Sequence, residues 1–332
     1  MRVPLALASA ATLLLLTGCS TSENKPDAPT REPATAAVAP APTAAPAGQV
    51  VPLGRPVSAL TADPGTGQLA ALDGATLLLI DPGTAAVRTV ALPAPGASLA
   101  PGKSGEILVA APQRVLRVDV AAARTSEIAV DGDVRSVAAG EGDTVLAGTA
   151  DGRVRTLAAD GAVLRTISGL VSADVLARTP DHTVVVDRHQ SSLTEIAPDA
   201  DRLGLAQRAG DGATNMITDH FGRVLVIDTA DNELLVYSTG PLLLRQRFPV
   251  GSSPYALAYD RRSETVWVTC TQSNEVVGFE LSTGIPVEVG RYPAVRQPDS
   301  VTVDERTGDL FVGSATGDGL QRIRADQRKR GQ

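Results

Sequence analysis

Short runs of apolar and β-branched residues alternate with polar turns along most of this chain. Pro254–Asp260 is one such run, and a polar turn separates it from residues 266–270. The same layout recurs at Pro298–Asp304, followed by residues 310–314. Runs of this length, bounded by Asp-Gly, Asn-Glu or Thr-Gly turns, are typical of antiparallel β-strands. The pattern therefore predicts an all-β domain.

The strand pattern repeats at a spacing of about 40 residues, the length of one four-stranded propeller blade. The first strands of successive repeats are predicted near Ser58, Ser98, Ser136, Val175, Met216, Ala256 and Ser300. One blade cannot bury both of its own faces, so the repeat predicts a closed ring of packed sheets. We expect an all-β, seven-bladed β-propeller over residues 49–324. Six or eight blades stay open, because the second and fourth repeats are weak.

The last repeat has room for only three strands before the chain ends. Residues 49–53 precede the first inner strand in the way that outer strands precede the other inner strands. We expect them to supply the missing outer strand, which closes the ring and removes a bare sheet edge.

The first 18 residues have the layout of a secretory signal peptide. Arg2 precedes an uncharged apolar run over residues 3–16, which is too short for a comfortable membrane span. Residues 16–19, Leu-Thr-Gly-Cys, resemble the bacterial lipobox. The resemblance implies cleavage before Cys19 and a diacylglyceryl group on its sulfur, and two acyl chains anchor a protein durably. An ordinary signal peptide with a chance cysteine is the alternative.

Two segments are expected to lie outside the folded domain. Residues 19–48 are rich in Pro, Ala and Thr and bury too little apolar surface to offset their ordering entropy. They predict a disordered tether that packs against nothing. Residues 325–332 form a basic tail, which is expected to be frayed and solvated, with contact to anionic lipid headgroups as the alternative.

Composition narrows the range of functions. The net charge of −7 argues against nucleic-acid binding. Only two cysteines occur, so a lipid-modified Cys19 leaves Cys270 without a disulfide partner, and we expect an inert buried thiol there. We expect a monomer without a cofactor. Abundant Ala and an excess of Arg over Lys indicate a GC-rich genome such as an actinobacterium's.

Two repeat motifs carry a resemblance to known families. Residues 267–270, Trp-Val-Thr-Cys, resemble the Tyr-Val-Thr-Asn (YVTN) repeat of bacterial surface propellers, with Cys270 in place of the motif's Asn. The Pro-x-x-Val-x-x-Asp opening of Pro298–Asp304 resembles the NHL repeat. With the lipobox, the chain resembles an actinobacterial, mycobacterial-type lipoprotein that carries a YVTN/NHL-like propeller. The resemblance implies a partner or ligand on one face, although some relatives are lactonases or lyases, and fold alone does not choose between these.

The sequence contains no strong catalytic or metal-binding motif. It has no His-x-His, Cys-x-x-Cys or His-Glu-x-x-His spacing, and no Gly-x-Ser-x-Gly or phosphate-binding Gly-rich loop. The three histidines are expected to be solvated loop residues. We therefore expect no metal site and no enzyme.

The mouth of the central channel is the best candidate site, because the residue that opens each inner strand faces the axis. The candidates are Arg135, Asp174, Asn215, Tyr255 and Asp299, joined from the loops by His189, Asn232 and Asn274. Such a ring suits a polar ligand or a cation with oxygen ligands. In the alternative, these residues satisfy strand-end backbone groups or hydrate the channel.

The sequence thus predicts a lipid-anchored propeller on the outer face of the cell membrane. It is expected to act as a binding or scaffolding module for an envelope protein or a small polar ligand. A divalent-metal-dependent hydrolase or lyase, resembling propeller lactonases, is the alternative. In that case Asp174, Asn215 and Asp299 would supply oxygen ligands.

Replacing Cys19 with alanine is expected to abolish lipid attachment, because the thiol is the acceptor of the diacylglyceryl group. Unprocessed precursor or released protein should accumulate, and mass spectrometry of the mature N-terminus measures this. The matched control, Cys270→Ala, should leave attachment unchanged. A wild-type protein whose mature N-terminus is unmodified and lies at another residue would contradict the lipoprotein interpretation.

Overall fold

The computed structural model describes residues 30–197 and 200–328. Within these residues the chain forms 26 β-strands and a 3-10 helix over Ala325–Gln327. The strands lie in six antiparallel sheets around a central cavity. The prediction of an all-β propeller is confirmed.

Four of the sheets have four strands that follow one another along the chain. The first sheet comprises β2 (Ala59–Ala62), β3 (Leu69–Asp73), β4 (Thr76–Ile80) and β5 (Val87–Ala91). The next comprises β12 (Val175–Arg178), β13 (Thr183–Asp187), β14 (Ser192–Ile196) and β15 (Leu203–Arg208). The third comprises β16 (Ala213–Thr218), β17 (Val224–Asp228), β18 (Glu233–Ser238) and β19 (Leu243–Pro249). The fourth comprises β20 (Pro254–Asp260), β21 (Thr265–Cys270), β22 (Glu275–Glu280) and β23 (Val287–Pro293).

A fifth sheet joins the two ends of the propeller. It comprises β24 (Pro298–Asp304), β25 (Asp309–Ser314), β26 (Leu320–Ile323) and the N-terminal β1 (Gln49–Val51). β1 pairs antiparallel with β26, with Val50 opposite Gln321. The outer strand expected from residues 49–53 is therefore present, and it closes the ring.

The remaining sheet has six strands and overturns the predicted blade count. It comprises β6 (Ser98–Pro101), β7 (Glu106–Asp119), β8 (Arg124–Ala139), β9 (Val145–Thr149), β10 (Val154–Leu157) and β11 (Val163–Ile167). It takes up the residues expected to form the second and third blades, so the prediction of seven separate blades is wrong and the structure has six.

A long hairpin formed by two consecutive strands explains the difference in blade count. β7 and β8 pair from Asp119 opposite Arg124 as far as Pro112 opposite Asp133, so hydrogen bonding continues past the expected blade boundary. Only a register shift between Pro112 and Arg114 marks that boundary. The six-stranded sheet still sends two segments to the centre, residues 98–101 and 135–137, so seven strand segments line the cavity.

The hydrophobic core lies between neighbouring sheets. Leu225 and Val236, from the sheet of β16–β19, pack with Val266 and Phe279 from the next sheet. Phe311 of β25 likewise packs in one cluster with residues of β3 and β4, across the closure of the ring. Burial of both faces of each sheet explains why strands such as residues 77–80 read as continuous apolar runs.

An aspartate closes the turn after the first strand in four sheets: Asp63, Asp219, Asp260 and Asp304. Asp304 is representative. Its carboxylate accepts hydrogen bonds from the Arg306 backbone N–H (3.1 Å) and from the Thr307 hydroxyl (3.0 Å). An aspartate that satisfies turn backbone in this way is a common turn former, which explains why the repeated motif ends in Asp.

As far as residue 328, the basic tail is docked on the propeller, whereas we expected it to be frayed and solvated. The Arg328 guanidinium lies 3.1 Å from the Asp260 carboxylate and 5.0 Å from the centre of the Trp267 ring. Trp267 is buried, as its place inside a strand predicts. An ion pair and a cation–π contact therefore dock the start of the tail.

Several N-terminal predictions fall outside the described residues. These are the signal peptide, the lipobox with Cys19, and residues 19–29 of the tether. Between residues 30 and 328, leaving aside 198–199, no helix has the length and apolarity needed to cross a membrane.

Two glycines that flank β1 test the closure of the ring. Gly48 has φ +74°, and a Cβ there would lie 2.1 Å from the Arg322 carbonyl oxygen. Gly54 has φ +66°, and a Cβ there would meet nothing within 4 Å. Gly54→Ala is expected to cost about 1–2 kcal/mol of unfolding free energy, from the left-handed backbone alone. Gly48→Ala should cost clearly more, because the clash disrupts the β1–β26 pairing. Denaturant unfolding measures both, and equal losses would contradict closure by β1.

Candidate ligand-binding site

A cavity of about 600 Å³ lies at the centre of the ring. Its lining includes all five predicted strand-end residues: Arg135, Asp174, Asn215, Tyr255 and Asp299. They come from five different strand segments, and only the closed ring brings them together. A cavity of this size is in the usual range for small-molecule sites.

The alternation of side chains along the inner strands positions these residues. Tyr255 and Asp299 are half-buried, whereas the next residues, Ala256 and Ser300, are buried. Successive side chains of a strand point to opposite faces, which explains why half-buried and buried residues alternate here.

The Asp174 carboxylate is held by two groups from its own sheet. The Ser172 hydroxyl donates to one oxygen at 2.7 Å, and the Arg188 backbone N–H donates to the other at 2.9 Å. These bonds fix the orientation of the carboxylate at the cavity mouth. A fixed acceptor suits a ligand that carries a donor or a positive charge.

The Asp299 carboxylate is less well compensated. Burial raises its pKa, while a 2.8 Å hydrogen bond from the Gln297 side-chain amide partly opposes that shift. An ionised carboxylate in this position is desolvated without a cationic partner among the contacts described. A ligand donor or a cation would therefore compensate the Asp299 carboxylate.

The side chains of Asn215 and Arg135 are held less firmly by the rest of the protein. The Asn215 side-chain amide donates to the Tyr255 carbonyl at 2.8 Å and so links two sheets across the cavity wall. Arg135 is exposed and pairs with Asp133 at 2.7 Å. An exposed ion pair contributes about 0–1 kcal/mol, so Arg135 can exchange this partner for a ligand at little cost.

The three loop candidates lie at the same end of the propeller, outside the cavity lining. The Asn232 side-chain carbonyl accepts from the Ser253 backbone N–H at 2.7 Å, and that of Asn274 accepts from the Gln297 N–H at 3.0 Å. In each case a turn of one sheet holds the loop that enters the next sheet. This is the role that the alternative interpretation gave to such residues. His189 uses its backbone carbonyl, which accepts from the Arg31 N–H at 2.9 Å.

Residues 30–48 differ from the expected disordered tether. They lie against the propeller at the mouth end, and we call residues 31–40 the strap. Side chains of Arg188, Ser253, Asn274 and Gln297 hydrogen-bond to the strap backbone. The expectation failed because it considered only apolar burial, whereas this segment is held mainly through its backbone polar groups.

Three of these strap-binding residues were not predicted from the sequence: Arg188, Ser253 and Gln297. The sequence contains a signal for two of them. Ser253 and Gln297 each precede the proline that opens an inner strand. Both adopt left-handed conformations, with φ of 51° and 52°. Such conformations are unusual outside glycine and concentrate at functional sites, but the sequence alone does not show them.

Two other chemical groups lie away from the cavity. Within residues 30–197 and 200–328, one group of three carboxylates comes within mutual metal-binding reach: Asp228, Asp231 and Glu233. Asp228 already accepts backbone N–H bonds, and Arg247 pairs with the other two, so hydrogen bonds account for the cluster. Cys270 is buried, and burial raises its pKa to about 12, which keeps it a thiol at neutral pH.

Comparison with protein-family models gives no match, and neither does a search of curated proteins. Solved structures share the propeller fold. Hydrazine synthase from Kuenenia stuttgartiensis is 14% identical with a TM-score of 0.69, covering 84% of this chain and 98% of that chain. A chain of a mitotic checkpoint complex is 13% identical with a TM-score of 0.74, covering 89% of this chain and 99% of that one.

A third structural neighbour is an enzyme. It is a catalytically inactive His-to-Ala variant of virginiamycin B lyase from Staphylococcus aureus, with quinupristin. It is 14% identical with a TM-score of 0.69, and the match covers 83% of this chain and 98% of that chain. At such low identities these likenesses establish the fold, and fold alone does not determine activity.

Burial of Asp299 leads to a pH-dependent prediction. A raised folded-state pKa means that the stability contributed by Asp299 is present below the ordinary aspartate pKa and is lost as pH rises through the folded value. Asp299→Asn is therefore expected to raise the melting temperature at pH 7, with the gain shrinking as the solution is acidified. NMR titration should give an Asp299 pKa above 3.8, raised further in Gln297→Ala. A measured pKa at or below 3.8 would show that the Asp299 carboxylate is better compensated than its described contacts allow.

Proposed function

We propose that this protein is a lipid-anchored, non-enzymatic binding module of the cell envelope. Its central cavity takes a small polar ligand or a polar segment of a partner protein. The observation that carries the proposal is the cavity lining, in which five polar side chains from five strand segments surround about 600 Å³. Two carboxylates, an amide, a guanidinium and a phenol supply both donors and acceptors, as ligand sites commonly do.

The proposed anchor is lipid on Cys19, at the outer face of the cell membrane of an actinobacterium. The lipobox and the YVTN/NHL-like repeats support this origin. Arg31 follows Cys19 by twelve residues. At about 3.5 Å per extended residue, these span at most roughly 40 Å. The strap lies at the cavity mouth, so lipid on Cys19 would hold that end of the propeller near the bilayer.

The cavity chemistry supports binding over catalysis. A histidine-to-alanine change inactivates the virginiamycin B lyase that shares this fold. Among the described residues, no histidine or cysteine lines the cavity. The His220 ring instead accepts or donates a 2.6 Å hydrogen bond with the Tyr259 hydroxyl, and Cys270 is a buried thiol. The strand-end residues offer recognition groups and no nucleophile–base pair.

A metal-dependent hydrolase or lyase is the second candidate. Asp174, Asn215 and Asp299 line the same cavity, and carboxylate and amide oxygens suit Ca²⁺. The lyase among the structural neighbours also supports it. In this alternative a divalent cation would lie between these residues and polarise a substrate carbonyl.

Two cavity variants test the binding proposal. Tyr255→Ala and Arg135→Ala are expected to reduce capture of the ligand or partner by about tenfold or more, as binding hot spots do. Melting temperatures should change by only a few degrees, because both side chains are incompletely buried. Capture is measured by cross-linking in the native envelope. Phe221→Ala is the control, since this exposed aromatic lies in the turn at the opposite end of β16. An equal loss in the control would contradict a cavity site.

Turnover separates the two candidates. Purified protein is expected to turn over no lactone or ester substrate, with or without added calcium. Activity that disappears with a chelator and with Asp174→Asn or Asn215→Ala would replace the binding proposal with the metal-dependent enzyme.

A further inference from the structure

Most of the hydrogen bonds that hold the strap are made by its backbone, and the Arg31 side chain adds bonds to the Asp211 carbonyl at 2.7 Å and to the Asp211 carboxylate at 3.3 Å. The Gln297 side-chain amide both accepts from the Ala39 N–H at 2.7 Å and donates to the Ala37 carbonyl at 3.0 Å. The Asn274 amide donates to the Pro40 carbonyl at 3.0 Å. One carboxamide thus bonds to the N–H of one strap residue and to the C=O of the residue two positions before it. Such contacts recognise a non-helical peptide by its backbone, much as a strand edge does.

Further contacts extend this recognition along the strap. The Arg188 guanidinium donates to the Ala34 carbonyl at 2.6 Å, and the Ser253 hydroxyl accepts from the Ala37 N–H at 3.0 Å. Together these residues lie in turns and loops next to the strands of three sheets, so only the assembled ring presents them as one surface.

Side-chain size is selected at one strap position. Ala39 is 2% exposed, whereas its neighbour Val38 is 86% exposed. A side chain larger than a methyl group at position 39 would have to displace the propeller surface. Pro33 and Pro40 restrict the strap backbone, which lowers the entropy lost when it docks. The surface thus selects a small residue at position 39, and a peptide that contains prolines loses less entropy when it docks.

The strap-binding residues are also held by contacts within the propeller. Asn274 is oriented by the Gln297 backbone N–H, which leaves the other end of its amide for Pro40. Ser253, Asn274 and Gln297 all have left-handed backbones, held by the loops between sheets. A preorganised polar surface of this kind can accept a second peptide once the strap leaves.

The same residues connect the strap to the cavity. Gln297 donates to the Ala37 carbonyl and also to the Asp299 carboxylate, at 2.8 Å. Arg188 binds the strap with its side chain and Asp174 with its backbone N–H. An occupant of the strap position therefore lies directly beside both cavity carboxylates.

We propose that the cavity end of the propeller is a recognition site for alanine- and proline-rich extended peptides. The strap is its resident occupant, and a peptide of this kind from a partner protein binds by displacing it. This inference rests on the proposed function, because it treats the protein as a binding module, and it names the chemistry of the partner. Residues 44–48 stay in place, since Ala47 is bonded to Pro293 and Gln321 beside β1.

Full-length protein carrying Ala39→Arg tests the resident strap, because arginine does not fit where Ala39 is buried. Val38→Arg is the matched control. Hydrogen exchange measured by mass spectrometry over residues 31–42 is expected to be about tenfold or more faster in Ala39→Arg. Val38→Arg should exchange like the wild type. Equal exchange in the two variants, or a wild-type strap that exchanges as an unstructured peptide, would overturn the proposal.

A fluorescein-labelled synthetic peptide of residues 31–42 then tests the site in trans. Because a tethered strap competes at an effective concentration near millimolar, the peptide should bind Ala39→Arg about tenfold or more tighter than the wild type. Adding Gln297→Ala should remove that gain in fluorescence anisotropy. Ala39→Arg protein that melts like the wild type but does not bind millimolar peptide would overturn a peptide site.

Two further measurements guard against misfolding of Ala39→Arg and distinguish failure of the peptide site from failure of the cavity proposal. Gln297→Ala alone should also speed strap exchange, which preserves the test should Ala39→Arg fail to fold. Peptide binding as expected, with no effect of Tyr255→Ala on envelope capture, would leave the peptide site standing while the cavity proposal fails. Loss of envelope capture in Tyr255→Ala without any peptide binding would leave the cavity proposal standing while the peptide site fails.

Discussion

Packing of each sheet against both neighbours is the interaction on which the rest of this structure depends. The apolar clusters combine residues of adjacent sheets, as Leu225 and Phe279 do, and they continue across the closure between β25 and the first sheet. A sheet that is apolar on both faces is not stable alone, so the ring must close. Pairing of β1 with β26 completes the last sheet and covers the edge of β26.

The closed ring has a direct functional consequence at one end. Strand-end residues that are far apart in the chain, such as Asp174 and Asp299, come to line one cavity. Turn residues such as Asn274 hold the loop that enters the next sheet, and the same loops hold the strap. Cavity, loops and strap thus form one connected polar system, through Gln297 and Arg188.

The candidate site was predictable where it follows from strand alternation. Arg135, Asn215 and Tyr255 line the cavity because each lies at or near the start of a strand segment that faces the axis. Gln297 and Ser253 were not predictable in this way. They lie in loops with left-handed backbones, and their importance depends on a segment more than 200 positions away, since Ala39 and Gln297 are 258 positions apart.

Local patterns in the sequence determined the strands, the aspartate-closed turns and the outer strand supplied by residues 49–51. Alternation, turn chemistry and repeat length act over a few residues, so the order of residues along the chain is enough to predict them. Only the tertiary structure decided that β7 and β8 join two expected blades, that Arg328 docks on Trp267, and that the strap lies at the cavity mouth. The first depends on how far the hydrogen bonding of a hairpin continues, and the other two depend on contacts between residues far apart in the chain. Neither hydrophobic periodicity nor composition shows where a backbone will find its polar partners.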